Sequence, residues 1–353
     1  MNKERINKEL SELCLLFGPS GCEKAVADYA LRACERLYDE CIRDNLGNLL
    51  LKVSGNGNRP PVMVSAHMDE VGFMISDIDE YGYLHFQNVG GIVPAVLPGR
   101  RVTVEGKGGL YLPGVICSKA IHLQSPAERE KPSTPDSLVI DIGATSRYEA
   151  KKYTDEGYFA TFESEYVAFG DNCEFIKSKA IDDRLGCAVM IELMHSIREG
   201  EIKLDRDVYF CFTVREELGL SGALTAANRI MPEYAIVLET TAVSDVAETP
   251  DSLKVASLGD GGCVLIADRS TIYDKSLFEL AKKLAAENDI KYQVKKYVSG
   301  GNDSAHIHKS AHGVKTIALS APTRYLHCAS CVANINDLYS ICELSKKLLQ
   351  SFQ

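Results

Sequence analysis

Apolar and polar positions alternate with a helical period at the beginning of the chain. Residues 2–17 place apolar side chains every three or four positions, which predicts an amphipathic helix. A Gly-Pro-Ser-Gly turn at residues 18–21 ends this pattern, and residues 23–37 predict a second helix. The apolar runs at residues 40–44 and 49–53, joined by an Asn-Leu-Gly-Asn turn, predict two strands.

The pattern changes after residue 72. Residues 73–170 contain short β-rich runs separated by glycine, proline and polar turns, without a long amphipathic helix. The clearest of these runs are residues 83–86, 101–104, 138–142 and 159–162. Short runs of this kind are typical of a small all-β unit.

Helices and apolar strands alternate again from residue 180 onward. The predicted helices are residues 183–198, 220–228, 275–288 and 335–352, and the predicted strands are residues 208–214, 234–238, 264–267 and 314–319. Such alternation implies a largely parallel sheet covered on both faces. We therefore predict an α/β fold in which a mostly parallel central sheet is flanked by helices and a small all-β domain is inserted. The α/β domain is expected to comprise residues 1–71 and 171–353, and the inserted β-barrel-like domain residues 72–170.

Composition and charge narrow the possible functions. With 45% hydrophobic and 25% charged residues, the chain of 353 residues has the composition of a globular protein with a sizeable core. Its net charge of −10 argues against nucleic-acid binding, which requires a basic surface. No apolar run approaches the roughly 20 residues of a membrane span, and the charged beginning lacks the apolar core of a signal peptide. We expect a cytoplasmic protein without a nucleic-acid or membrane partner.

The twelve cysteines agree with that expectation. They are scattered through apolar runs, as reduced thiols in a cytoplasmic protein would be. Only Cys328 and Cys331 form a close pair. Without a second pair they are a weak signal for zinc or redox chemistry, and we favour the interpretation as inert thiols.

Candidate chemistry begins at residues 61–72, where a short apolar run at residues 62–64 predicts a buried strand and leads into Ser65-Ala66-His67-Met68-Asp69. At the tip of a strand, His67 and Asp69 would point the same way, because side chains alternate faces. A carboxylate beside an imidazole fixes the tautomer that binds a metal. Taken alone, the pair also fits a histidine satisfied by a carboxylate without any metal.

Acidic residues and a second histidine follow three other predicted strands. Glu216 and Glu217 come directly after the strand at residues 208–214, Glu239 follows the next strand, and His327 lies shortly after the last. Ligands of open α/β sheets gather at the carboxyl ends of strands. The alternative for the adjacent pair of glutamates is acidic decoration of a helix N-terminus.

Asp182 and Asp183 stand at the junction before a predicted helix. Either aspartate could cap that helix, or one of them could be a ligand. His306 and His308, near the Gly300-Gly301 turn, are interpreted as structural or surface residues.

Counting these groups favours metal chemistry. Two imidazoles and three or four carboxylates, without a ligating thiol, suit a pair of zinc-like or cobalt-like divalent ions. Such pairs activate a water for hydrolysis. In the doublet Glu216-Glu217, one carboxylate could bind a metal while its neighbour handles a proton.

Five ordered motifs together resemble one family. They are His67-Met-Asp69, Asp182-Asp183-Arg184, Arg215-Glu216-Glu217 with the following Leu-Gly-Leu-Ser-Gly-Ala, Gly300-Gly301 with Asp303, and Arg324-Tyr325-Leu326-His327. This set resembles the glutamyl/tetrahedral aminopeptidases, which are cytosolic metallopeptidases with two metal ions and include members labelled cellulase or endoglucanase. The resemblance covers essentially the whole chain and implies a zinc-peptidase-like catalytic domain.

The resemblance implies a role for each candidate residue. His67, Asp182 and Glu239 would hold one ion, and Asp182, Glu217 and His327 the other. Glu216 would be the general base for a water that bridges the ions, and Asp69 would orient His67. Zn²⁺ is the expected metal, with Co²⁺ and Mn²⁺ as alternatives.

The resemblance also implies substrates and assembly. Short peptides would lose their N-terminal residues, and the inserted domain would mediate dimerisation within a homo-oligomer, a dodecamer built from dimers. Neither the preferred N-terminal residue nor the cellular metal follows from the sequence.

Three positions depart from the family pattern. Glu239 stands where aspartate is frequent, Asn302-Asp303-Ser304 replaces Thr-Asp-Ala, and Cys328-Ala329 replaces Ser-Pro. These departures leave open a catalytically inactive relative that serves as a metal-stabilised assembly or binding protein. Hydrolysis of another amide or of a glycoside is a further alternative. Adjacent glutamates are a poor match to glycosidase carboxylates, which flank a bond at roughly 5–9 Å from each other.

Overall fold

The computed structural model describes residues 1–126 and 134–352. Its helices are α1 (Lys3–Leu15), α2 (Lys24–Ala33), α3 (Arg147–Tyr153), α4 (Ile181–Arg198), α5 (Ser221–Ile230), α6 (Lys275–Glu287), α7 (Ser304–Ile307) and α8 (Ile335–Ser351). Its strands up to the middle of the chain are β1 (Glu40–Arg43), β2 (Leu49–Val53), β3 (Val62–His67), β4 (Gly72–Ile78), β5 (Leu84–Val89), β6 (Arg101–Glu105), β7 (Tyr111–Cys117), β8 (Val139–Asp141) and β9 (Phe159–Phe162). The remaining strands are β10 (Val167–Phe169), β11 (Phe175–Ser178), β12 (Val208–Thr213), β13 (Tyr234–Ala242), β14 (Gly262–Val264), β15 (Tyr292–Val294), β16 (Lys315–Arg324) and β17 (Cys331–Asn334).

Eleven strands form one large sheet in the order β1-β2-β12-β3-β13-β16-β17-β11-β10, with β14 and β15 attached beside β16. The four central strands β12, β3, β13 and β16 run parallel, so their carboxyl ends meet at one edge. Thr213 at the end of β12 is in register with His67 at the end of β3. This arrangement confirms the predicted α/β fold with a parallel centre.

The central strands are buried on both faces, as the continuous apolar runs predict. In β3, Val62, Val64 and Ala66 belong to the core layer that includes residues of α1, α4 and α8. Met63 points to the opposite layer, together with the alanines of α5. The period-two alternation of a strand therefore divides one short run between two cores.

A separate six-stranded barrel closes in the order β4-β5-β8-β7-β6-β9. Its core is organised around Phe73, whose ring packs edge-on against Phe86 and Phe162 at centroid distances of 5.0 and 5.2 Å. The barrel strands lie between Gly72 and Phe162, which confirms a small β domain inserted after β3.

The strand β10 lies in the large sheet, where it pairs with β11. The predicted inserted segment extends to residue 170 and therefore includes three residues that pair outside the barrel. The expected domain limits remain a prediction at that end. On its other side β11 pairs with β17, which lies more than 150 residues later in the chain. Short strands paired over such distances carry little local signal.

Two central strands are longer than their apolar runs predict. β13 continues beyond Leu238, so Glu239 lies inside a strand rather than after it. β16 continues through Pro322 although proline cannot donate to a ladder. Pro322 is tolerated because it falls between Ser320, the last residue paired with β14, and Thr323, the first paired with β17.

The longer observed helices lie within a few residues of the predicted ones. Two short helices have no predicted counterpart, α3 with seven residues and α7 with four. Within residues 1–126 and 134–352, none of the helices has the length and hydrophobicity that a membrane span requires.

Candidate active site

The predicted site residues meet at the carboxyl edge of the parallel strands. His67 ends β3, and Glu239 lies near the end of the neighbouring β13. Glu217 follows β12 in a turn, and His327 follows β16. Side chains from segments far apart in the sequence converge here because parallel strands end at the same edge.

Two groups of three side chains could each hold a metal ion. His67, Asp182 and Glu239 form one group, and Asp182, Glu217 and His327 form the other, with the ligand atoms of each group within 4.8 Å of one another. In the first group, Nε2 of His67 lies 3.4 Å from Oδ1 of Asp182 and 3.9 Å from Oε2 of Glu239. In the second, Nε2 of His327 lies 3.5 Å from Oδ2 of Asp182 and 3.2 Å from Oε1 of Glu217.

The two imidazoles experience strong fields from these carboxylates. Burial disfavours a charged His67, but Glu239 and Asp182 nevertheless hold its pKa well above the ordinary range. Burial likewise opposes the charge on His327, whereas Asp182 and Glu217 raise its pKa to about 11. The carboxylates therefore stabilise the protonated, positively charged form of both histidines.

The carboxylates differ in their response to the same environment. Burial raises the pKa of Glu217, and it raises that of Glu239 well above the usual range. Burial also acts on Asp182, but the nearby imidazoles of His327 and His67 outweigh it and hold the pKa of Asp182 below its usual range. Buried acids that resist ionisation gain much from a bound cation.

Two buried carboxylate oxygens support a fit to divalent ions. Among the described residues, Oδ1 of Asp182 and Oε1 of Glu239 have no hydrogen-bond partner. Buried oxygens of this kind are costly unless a ligand satisfies them. Each group also offers the imidazole and carboxylate donors that Zn²⁺, Co²⁺ and Mn²⁺ accept. The residues therefore fit divalent metal ions.

Backbone carbonyls orient both imidazoles. Nδ1 of His67 lies 3.1 Å from the carbonyl oxygen of Asp69, and the Asp69 carboxylate is close, at 3.5 Å. Nδ1 of His327 lies 2.9 Å from the carbonyl oxygen of Gly91, which follows β5 of the barrel. Both contacts leave Nε2 directed at the other ligand groups, as metal-binding histidines require. The contribution of Gly91 has no signal in the sequence.

The adjacent residues Asp182 and Asp183 make different contacts. Asp182 belongs to both groups, whereas Oδ1 of Asp183 accepts the backbone N–H of Gly186 at 3.0 Å and caps the regular part of α4. The residue types alone leave the cap and the ligand as alternatives for either aspartate, and the position of Asp182 agrees with the ligand role that the family resemblance implies for it.

Glu216 lies outside both groups but lines the same cavity of about 300 Å³ as His67 and Asp182. Burial is the main reason that the pKa of Glu216 lies well above the usual range, and the adjacent Glu217 carboxylate adds to it, while the His67 imidazole opposes it. Its surroundings therefore stabilise the protonated form of the carboxyl group.

The far wall of the cavity was not anticipated from the sequence. It is formed by Thr240, Thr241, Leu265, Asp268, Lys295 and the Gly300–Asn302 turn. Nζ of Lys295 donates to the carbonyl oxygen of Ser299 at 2.7 Å. Lys295 follows the short strand β15, and no pattern of residues distinguishes it from other lysines of the chain.

The remaining candidates stand apart from the two groups. Nδ1 of His308 lies 2.6 Å from the carbonyl oxygen of Ser304, a local structural contact. In the described part of the chain, neither group of potential metal ligands includes His306, Cys328 or Cys331. Asp303, from the Gly-rich motif, accepts a hydrogen bond of 2.7 Å from Oγ1 of Thr213, and burial raises its pKa to about 7.

Residues 47–344 match the family model described as M42 glutamyl aminopeptidase. The chain belongs to this family. The resemblance predicted from the five motifs is therefore confirmed.

Relatives of this M42 chain match it over nearly their whole length. A lysyl aminopeptidase of Pyrococcus furiosus is 30% identical over 343 residues, covering 95% of this chain and 94% of the relative. The crystal structure of a TET aminopeptidase from a marine sediment Thaumarchaeota archaeon has a TM-score of 0.95 at 32% identity and covers 100% of this chain and 98% of its own.

A TET1 peptidase of Pyrococcus horikoshii, described as assembling into a tetrahedron or a large octahedral shell, has a TM-score of 0.87 at 31% identity. The match covers 98% of this chain and 99% of that protein. Both the large sheet and the barrel are therefore shared with these two peptidases of known structure.

Proposed function

We propose that this chain is a metal-dependent aminopeptidase that uses two divalent ions to remove N-terminal residues from short peptides. The observation that carries the proposal is the pair of ligand groups that share Asp182. Membership of the M42 family supports the same activity.

His67, Asp182 and Glu239 would hold one ion, and Asp182, Glu217 and His327 the other. Bound ions would polarise the scissile carbonyl and acidify the attacking water. Three carboxylates against two divalent ions leave a site with about one net positive charge, which favours the developing oxyanion. Zn²⁺ is the metal we propose, with Co²⁺ and Mn²⁺ as alternatives.

Glu216 would act as the general base. Its carboxyl lines the cavity without belonging to either ligand group, so it is available to accept a proton from the attacking water. A carboxylate in that position can also return the proton to the leaving amine. Asp69 would hold His67 in the tautomer that presents Nε2.

The size of the cavity supports removal of single residues. A volume of about 300 Å³ lies at the lower end of ligand pockets and suits one amino-acid residue beside the ligand groups. The rest of the substrate would have to extend outward, as expected for an enzyme that acts at a chain end.

An aminoacyl-anilide and peptide panel tests the proposal. The protein is stripped with a chelator and reloaded separately with Zn²⁺, Co²⁺ and Mn²⁺, and release of the N-terminal residue is measured. We expect activity only after reloading, with the highest rate at two metal ions per chain. Full activity of the metal-free protein would contradict metal dependence.

A non-catalytic role is the second candidate. Glu239 is one methylene longer than the aspartate expected there, and the thiol of Cys328 follows the ligand His327. A metal-stabilised binding or assembly protein would bind the ions but cleave nothing in the panel. The same panel extended by other amides and a β-glucan separates this role, and the glycosidase alternative, from peptidase activity.

Assembly is part of the proposal. We infer a homo-oligomer built from dimers, a dodecamer, with the barrel of β4–β9 as the dimerisation domain. Similarity over nearly the whole chain to a TET1 peptidase, described as assembling into a tetrahedron or a large octahedral shell, supports this inference. Light scattering should give a mass many times that of the 38.7 kDa chain, and a monomer would count against it. The cytoplasmic location stays a prediction.

A further inference from the structure

Two buried carboxylates hold the backbone of the turn that carries the glutamate pair. The N–H of Arg215 donates to Oε1 of Glu23 at 3.1 Å. The next two N–H groups, of Glu216 and Glu217, donate to the two carboxylate oxygens of Asp69 at 3.1 and 3.0 Å. Three consecutive amides are thus bound by side chains from two distant segments of the chain.

These hydrogen bonds matter because the side chains of Glu216 and Glu217 point in different directions. Glu217 is directed at Asp182 and His327, whereas Glu216 faces the cavity from outside both ligand groups. Arg215, which begins the turn, has a φ of +57°, a left-handed conformation that non-glycine residues rarely adopt. Such a conformation persists only where the surroundings impose it.

Glu23 is positioned to impose the left-handed conformation of Arg215. Only 5% of the residue is exposed, and the same Oε1 also accepts the N–H of Gly21 at 2.7 Å. The carboxyl therefore joins the N-terminal loop at residues 18–23 to the turn after β12. Glu23 does not line the cavity, so it acts on Glu216 through the backbone that it holds rather than by contact with a substrate.

We propose that Glu23 is a positioning residue that sets the direction of the Glu216 carboxyl by binding the Arg215 amide. This inference rests on the proposed role of Glu216 and adds a residue that the sequence marks only as the beginning of a helix. Asp69 holds the following two amides, so the two carboxylates together determine the path of the turn. The oxygen acceptor is what matters, rather than the negative charge.

The charge can be separated from the acceptor by substitution. Burial, and next the nearby Asp69 carboxylate, raise the pKa of Glu23 to about 7, so a neutral side chain is already accommodated there. Glu23→Gln keeps an oxygen at the same reach and removes the charge. Glu23→Met keeps the length and removes the acceptor, and Glu23→Asp keeps the carboxylate but shortens its reach.

The variants are compared by kcat, KM and metal content in the assembled, metal-loaded protein. A misplaced catalytic group commonly costs up to about 100-fold in rate, so we expect kcat to fall about 10- to 100-fold in Glu23→Met. KM and metal content should stay within about twofold of wild type, and Glu23→Gln should keep most of the rate. Glu23→Asp should show a reduced kcat with an intact fold, which decides the question if Glu23→Met does not fold.

Cys22→Ala serves as the matched control. Cys22 lies on the same loop, but its thiol is directed at Oε1 of Glu105, at 4.0 Å, rather than at the turn. The Cys22→Ala substitution should leave kcat unchanged. The acidic limb of the kcat–pH profile should move in Glu23→Asp and stay in place in Cys22→Ala.

Two results would overturn the inference. One is a kcat near the wild-type value in both Glu23→Met and Glu23→Asp, and the other is an equal loss in Glu23→Gln and Glu23→Met. Either leaves the aminopeptidase proposal intact, because wild-type activity is measured in the same series. An inactive wild type would instead contradict the proposed function itself.

Discussion

Oδ2 of Asp182 lies 3.5 Å from Nε2 of His327. The other carboxylate oxygen, Oδ1, lies 3.4 Å from Nε2 of His67. A single buried side chain therefore connects two histidines that are 260 positions apart in the sequence. This geometry makes Asp182 the residue on which both candidate metal sites depend.

Replacing Asp182 with asparagine should weaken both sites together. The amide carries no charge and offers one oxygen instead of two, so we expect retention of less than half of the metal after dialysis and a loss of activity. His67→Ala and His327→Ala should each affect mainly one ion. Metal content is measured by inductively coupled plasma mass spectrometry on the dialysed protein.

Asp183→Asn is the neighbouring control for that series. Its Oδ1 would still accept the N–H of Gly186 and cap α4, so both ions should remain bound. If Asp182→Asn kept two tightly bound ions, the sharing of this carboxylate would be refuted.

Replacing Glu216 with glutamine should abolish turnover and leave both ions in place. The variant keeps the size of the side chain but cannot accept a proton, and general bases typically contribute about 10²–10⁴-fold in rate. Glu217→Gln should instead reduce metal content, because Glu217 lies in a ligand group. Steady-state kinetics and metal analysis on the same samples check both variants, and normal turnover in Glu216→Gln would exclude the proposed base.

Lys295 should influence which N-terminal residue is preferred. Among the described residues, its ammonium group donates one hydrogen bond, to Ser299, while Asp268 on the same wall already accepts hydrogen bonds from two backbone amides and Tyr273. The wall therefore offers an unused donor to a carboxylate or amide side chain of the substrate. Charged hydrogen bonds contribute about 1.5–3 kcal/mol, so Lys295→Met should lower kcat/KM for N-terminal glutamate about 10- to 100-fold relative to leucine.

Lys291→Met is the control for that substitution. Lys291 pairs with Asp260 at the surface and does not line the cavity. Its removal should leave the ratio between the glutamyl and leucyl substrates unchanged. An unchanged ratio in Lys295→Met would exclude the side-chain contact.

The buried pair of Lys179 and Glu70 should matter for stability. Their side chains are 5% and 2% exposed, with Nζ 2.6 Å from Oε1, and Oε2 of Glu70 also accepts the hydroxyl of Thr161 in the barrel strand β9. Lys179→Met removes the nearer of two cations beside this carboxylate and leaves only the Arg184 guanidinium, whose Nη2 lies 3.5 Å from Oε1. Breaking a buried pair in this way typically costs up to about 3–5 kcal/mol in the free energy of unfolding. Chemical denaturation of the metal-loaded protein measures the loss.

The double variant Lys179→Met with Glu70→Gln provides the comparison. It removes both charges, so it should be less destabilised than Lys179→Met alone. A double variant as unstable as the sum of the two single variants would show that the pair is not coupled.

Much of the candidate site could be predicted because its residues follow strands. His67 and the pair Glu216-Glu217 come directly after apolar runs, and parallel strands bring such positions to one edge. Glu239 was placed after its strand and lies inside it, because hydrogen bonding with β16 extends β13 beyond its apolar run. Pairing with a distant strand has no local signal at that position.

The amino-acid sequence by itself determined the order of the longer helices and the central parallel strands, the inserted β unit and the set of candidate ligands, because periodicity and motif spacing are local properties. Only the tertiary structure showed that Asp183 caps a helix and that Asp182, which the family resemblance implies as a ligand, lies beside both histidines. It alone joined Gly91 to His327 and Glu23 to Arg215. Such contacts depend on where distant backbone segments come to lie, and packing of the whole chain determines that.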